Sequence, residues 1–139
     1  MKVEELRIGN FIKYRDIIGK VNKIFSPKKD FDAPGGICYY STSSHCGGVV
    51  WEEHIEPIEL TEELLVKIGF EKDGNNYSLV CGDIEVGYYV DKFKQALHIK
   101  VPREKRFYKN ELRSYDVKYL HQLQNTYYCL TNKELEIEL

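Results

Sequence analysis

No stretch of this chain approaches the roughly 20 consecutive apolar residues that a helix needs to cross a bilayer, so a membrane-spanning segment is not expected. The opening, Met1 to Leu6, is acidic and lacks the apolar centre of a signal peptide, which points to a cytoplasmic protein. No glycine-rich phosphate loop is present, and no cysteine sits in a glycine-containing elbow or at an evident helix N-terminus, where a thiolate would be favoured. The four cysteines, Cys38, Cys46, Cys81 and Cys129, are widely separated. With no sign of an oxidising compartment, free thiols are expected rather than disulfides. Internal repeats and low-complexity segments are also absent.

What the chain does contain is enough for one packed domain: 139 residues, of which 42% are hydrophobic and 30% charged. Eleven tyrosines raise the aromatic share. Tyrosine combines a large apolar ring with a polar tip and suits half-buried strands and binding surfaces alike. The formal charge of −2 conceals a polarity along the chain. Ten acidic residues stand against two basic ones from Glu52 to Glu85, and eight basic against three acidic from Asp91 to Arg113. Such blocks attract an anionic partner, or each other within the chain or across a homo-oligomer.

The first sixty residues read as short strands separated by turns. Phe11 to Tyr14 follows the turn pair Gly9-Asn10. Ile17 to Phe25 comes next, with Val21 and Phe25 on one face or Ile18 and Ile24 on the other. Ile37 to Thr42 and Gly48 to Ile55 lie beyond a Pro- and Gly-bearing loop. Four or five short strands with tight turns predict a small SH3-like β-barrel over residues 1–60.

At Leu60 the period changes. Thr61 is a good helix N-cap, and Glu62 and Glu63 favour the positive end of the helix dipole. Leu60 and Leu65 occupy staple positions, and Gly69 supplies a left-handed C-terminal residue with Phe70 behind it. Tyr77 to Cys81 and Ile84 to Val90 predict a hairpin about Gly82-Asp83, and Ala96 to Val101 predicts a third strand. A helix starting near Ser114 or Asp116 carries Leu120, Leu123, Tyr127 and Leu130 at spacings of three and four, with Asn132 placed to close it and Leu135 to Leu139 as a tail. The predicted fold class is therefore α+β. Residues 61–139 form a helix, an antiparallel three-stranded unit and a C-terminal amphipathic helix, packed as one unit with the barrel.

The stretch from Pro57 to Lys72, the stretch from Leu120 to Thr131 and the opening Leu6-Arg7-Ile8-Gly9-Asn10 together resemble a family of short uncharacterised proteins from gut anaerobic bacteria and their prophages. Where that family commonly has glycine after the Leu-Thr pair, this chain has Asn132, the next best residue for the same backbone conformation. The resemblance implies a phage or mobile-element setting and supplies no catalytic residues.

Candidate chemistry is sparse. Cys38, His45, Cys46 and His54 lack the two-to-four-residue ligand pairing of a zinc finger or knuckle, so no metal and no cofactor is expected. A Cys–His nucleophile pair would have to be assembled from Cys81 or Cys129 with His98 or His121 across the fold. His121, between Leu120 and Leu123 on a helix, reads as structural, and an enzyme is not expected.

Two regions carry the binding signals. The segment Lys92 to Arg113 interleaves bases with aromatics, and Lys94, Lys100, Arg103, Arg106, Tyr108, Lys109 and Arg113 suit phosphate neutralisation and stacking. The loop flanked by Gly35-Gly36 and Gly47-Gly48 offers Ser43 and His45 beside Tyr40 and Trp51, the last two able to stack on a planar ligand. The expectation is a non-catalytic binding protein acting on a host protein or a small anionic ligand. A nucleic-acid binder using Lys92 to Arg113, or a nucleotide-sequestering counter-defence protein, are the alternatives.

Overall fold

A computed structural model describes residues 1–26, 34–43, 46–81, 84–91, 94–100, 112–113 and 117–139. It is an α+β protein whose chain divides into two compact units. The first comprises Met1–Glu59 with Tyr119–Thr126 and Leu139, and the second Leu60–Lys118 with Tyr127–Glu138.

The first unit is built on a four-stranded antiparallel meander: β1 (Phe11–Tyr14), β2 (Ile17–Phe25), β3 (Gly36–Ser41) and β4 (Gly47–Trp51). Alternation puts Ile12, Val21, Ile37, Tyr39 and Val50 on one face, where they pack with Val3, Leu6 and Ile55. Burying each of these large side chains is worth about 1.5–3 kcal/mol. Tyr39 fits because its flanking positions are bare: a β-carbon at Gly19 would run into its ring, and one at Gly48 would lie 3.2 Å from it. The closed barrel expected from the strand count is not what is seen. β1 and β4 are edges of an open sheet, and the chain leaves β4 through a 3₁₀ turn, Glu52–His54. It comes back to β1 at one bridge, where Lys13 and Glu56 exchange hydrogen bonds of 3.0 and 2.8 Å.

In the second unit, the helix α1 (Glu62–Ile68) has the expected ends. Thr61 Oγ1 accepts from Leu64 N–H at 3.2 Å. Gly69 has φ +102°, and the amides of Gly69 and Phe70 return to the carbonyls of Val66 and Leu65, the paired bonds of a Schellman stop. Leu60, Leu65 and Phe70 are buried. The predicted three strands are present as β6 (Asn76–Cys81), β7 (Ile84–Asp91) and β8 (Lys94–Lys100). Two short strands extend them, β5 (Glu71–Asp73) at one edge and β9 (Leu112–Arg113) at the other. Cys81 pairs with Ile84 in register, while Gly82 and Asp83 lie outside the described residues. Tyr77 and Tyr88 pair across β6 and β7, both buried, and Tyr88 Oη donates to the Val117 carbonyl at 2.7 Å.

The C-terminal helix α2 (Leu120–Thr131) begins later than the sequence suggests. Tyr119 is held in a bridge to Glu59, and Leu120 N–H donates to Ile58 O at 2.8 Å, so extended backbone displaces the first turn. Gln122 Oε1 accepts from Tyr119 N–H at 3.2 Å, capping the new start from within the helix. Asn132 ends it with φ +54°, its N–H donating a hydrogen bond to Tyr128 O at 2.8 Å. The tail is anchored rather than free, since Leu135 is buried. Among the described residues, no helix is long and apolar enough to cross a membrane.

Candidate functional site

The outward face of the first unit's sheet gathers the side chains that the alternation leaves over. Its composition follows from a bulge in β2. Register runs Lys20 to Tyr40 and Val21 to Tyr39, then skips Asn22 and resumes as Lys23 to Cys38, Ile24 to Ile37 and Phe25 to Gly36. The extra residue reverses the alternation. Val21 and Ile24 therefore both face the core, and Lys20, Lys23 and Phe25 all face outward. The pairing of Val21 with Phe25 on one face, expected from strict alternation, is corrected by this bulge.

Three rows result, each crossing β2, β3 and β4. The first is Phe25, Gly36 and Trp51; the second Lys23, Cys38 and Val49; the third Lys20, Tyr40 and Gly47. Trp51 is 45% exposed, Val49 57% and Tyr40 60%. The rings lie down because their neighbours are glycine: a β-carbon at Gly36 would be 2.8 Å from Trp51 Cε3, and one at Gly47 would be 3.2 Å from Tyr40 Cδ1. An aromatic ring over a cross-strand glycine restores packing that the glycine lacks. It also leaves the ring's upper face to solvent. The ammonium of Lys23 stands 5.0 Å from the Phe25 ring centre and that of Lys20 stands 5.6 Å from Phe11, placing positive charge among the rings. β1 to β4 contain no Asp, Glu or His. Among the described residues no ion pair engages Lys20 or Lys23.

The residues expected at a site distribute as follows. Tyr40 and Trp51 share this face. Ser43 lies at the hairpin end, where its hydroxyl is 3.2 Å from Ser41 Oγ and its amide donates to the same oxygen, so it shapes the turn. His45 lies outside the described residues, as do Arg103, Arg106, Tyr108 and Lys109. Lys94, Lys100 and Arg113 belong to the second unit. Register sets Lys94 opposite Asp91, Lys100 opposite Glu85 and Arg113 opposite His98.

Cys38 is half-buried in the second row, Cys46 and Cys129 are exposed, and His54 sits 3.3 Å from Glu53. Among the described residues, no three His, Cys, Asp or Glu side chains converge as a metal set. Displaced pKa values occur away from the face. Burial lowers His121, opposed by the Glu5 carboxylate 3.8 Å away. A 2.6 Å bond joins Lys72 to Glu62, raising the amine and lowering the carboxyl.

Lys20 and Lys23 were not singled out in the sequence, and Phe25 was placed only as a face partner of Val21. The available signal was their setting in strands without acids; the missing signal was the bulge. No family model, curated protein or solved structure matches the chain.

Proposed function

We propose that this is a non-catalytic binding protein that holds an anionic, ring-bearing ligand of the nucleotide type on the outward face of β2, β3 and β4. The first unit is SH3-like, with the Lys13–Glu56 bridge standing where a closing strand would pair. The observation that carries it is the face, built from strands without acids, on which Trp51, Tyr40 and Phe25 alternate with Lys20 and Lys23. Flat rings offer stacking to any base and ammonium groups offer charge to phosphate. Occupancy rather than chemistry is supported by the make-up of the face: rings, a valine, ammonium groups and one half-buried thiol. In a phage or mobile element, as the family resemblance implies, such a protein acts on a host molecule by holding it.

Trp51 is the chain's only tryptophan, so its emission reports the face directly. Titration with the common nucleoside triphosphates and with short oligonucleotides is expected to give saturable quenching, weakened in Tyr40→Ala. Unchanged emission across both panels overturns the proposal.

A further inference from the structure

We infer that the ligand of this face is single-stranded nucleic acid lying across several nucleotides, rather than a free nucleotide or a duplex. The inference rests on the binding reading above and adds the ligand's class and extent.

Spacing is the first ground. Gly36 and Tyr40 are four residues apart on β3, about 13 Å at the strand rise of roughly 3.3 Å per residue. Trp51 lies over the first and Tyr40 rises from the second. One base covers one ring, and bases laid flat on two rings about 13 Å apart lie side by side in the plane of the sheet, so reaching both takes several nucleotides of one extended strand. A mononucleotide engages one ring and leaves the other in water. A strand running along β3 reaches both.

Charge is the second ground. Lys23 occupies the row between the two rings, and Lys20 stands beside Tyr40 in the last row. A sugar–phosphate backbone passing from one stacked base to the next meets an ammonium on the way and another at its end. No carboxylate lies in the four strands to repel it. A peptide partner would use the apolar area of Val49 and Trp51 but would leave both ammonium groups unanswered unless it were acidic.

Shape is the third ground. The major groove of B-DNA, about 12 Å wide, admits a helix or a two-stranded ribbon, not the flat face of a four-stranded sheet. Bases paired inside a duplex have no free face for Trp51 or Tyr40. An unpaired strand presents both its bases and its phosphates, and stacking on aromatic side chains is indifferent to base identity.

Two neutralising lysines predict a shallow salt dependence, with log affinity falling against log salt at a slope of about −1.4 for a single strand. The test is fluorescence anisotropy with labelled oligothymidylates of one, two, four and eight residues, thymidine triphosphate as competitor, and a hairpin duplex. Affinity is expected to rise at least about tenfold between two residues and four to eight, then level, with the duplex weaker. Lys20→Gln/Lys23→Gln flattens the salt slope and Tyr40→Ala removes the length dependence. Both variants change exposed side chains, and far-UV circular dichroism checks their fold. Equal affinity for the triphosphate and the eight-residue strand overturns the inference and leaves the binding reading standing, as does equal affinity for the duplex. Binding abolished by Arg103→Ala/Arg106→Ala but untouched by the two sheet variants moves the strand elsewhere and overturns the assignment to this face. No binding in any arm overturns both.

Discussion

The side-chain amide of Gln124 stands in for a neighbouring strand beside Phe11. Its Oε1 accepts from Phe11 N–H at 2.9 Å, and its Nε2 donates to Gly9 O at 3.2 Å. A primary amide carries the same donor and acceptor as a peptide group, so one buried glutamine satisfies two backbone groups at the start of β1. Asn125 adds a bond to Glu5 O at 3.0 Å and accepts from Asn10 Nδ2 at 2.9 Å. The start of α2 is thereby tied to the first turn of the chain through amides rather than apolar contact alone.

Gln124→Leu keeps the volume and removes both partners. Each buried group left unpaired costs about 1–3 kcal/mol, so with two such groups the variant is expected to lose about 2–6 kcal/mol in urea unfolding. Hydrogen exchange at the Phe11 amide should accelerate more than at Val21, whose amide bonds Asn10 O within the sheet. Equal protection at Phe11 in both proteins would show that Gln124 is not its partner in solution.

Gly36→Ala tests how Trp51 is held. The new methyl would lie 2.8 Å from the indole and 2.9 Å from the Val50 carbonyl, so both ring and strand must shift. Such overpacking costs about 1–3 kcal/mol, and the emission of Trp51 should move to the red as the ring lifts into water. Gly74→Ala is the control. It sits at φ +60° with nothing within 4 Å, so it costs about 1–2 kcal/mol of backbone strain and leaves the emission unchanged.

His121 sets a pH dependence. Its ring is 1% exposed and stacks on Tyr119 at 5.8 Å. Burial is the main reason its pKa lies below the ordinary histidine value; the Glu5 carboxylate opposes the shift and the N-terminal ammonium adds to it. A depressed pKa means the unfolded chain takes up the proton first. Stability is therefore expected to fall as pH drops through about 6.5. Melting temperatures measured from about pH 7.5 to 5.5 should decline in the wild type and decline less in His121→Phe. A parallel decline in both would assign the effect to other groups.

The parts of this fold that were legible are those whose signals are local. Thr61, Gly69 and Phe70 specify α1 within ten residues, because caps act through bonds to the nearest turn. The strands read at Ile37 to Thr42 and Gly48 to Ile55 likewise lie close to β3 and β4, because glycine and proline turns bound them locally. The outward face was legible only at Tyr40 and Trp51. Lys23 and Phe25 join them through the bulge at Asn22, which depends on how β2 pairs with β3 and leaves no mark in β2 alone. The late start of α2 was hidden for a similar reason, since Tyr119 is drawn into a bridge with Glu59, sixty residues away in sequence. Gln124 carries no mark of its own in the helical stretch, and only the approach of the chain at Gly9 and Phe11 makes it a buried partner.

The two ends of α1 give separable costs. Thr61→Ala removes the acceptor for Leu64 N–H and is expected to cost about 1 kcal/mol, with Thr61→Asp restoring most of it. Gly69→Ala meets no steric obstacle, since its β-carbon would be 3.8 Å from Leu79 Cδ1. Its penalty comes from φ +102° alone, about 1–2 kcal/mol. The two sites act at opposite ends of the helix through different backbone groups, so their costs should add within about 0.5 kcal/mol in the double variant. A double variant no less stable than Gly69→Ala would mean that the first turn of α1 contributes nothing to the second unit, and that the buried Leu65 and Ile68 hold the helix without its cap.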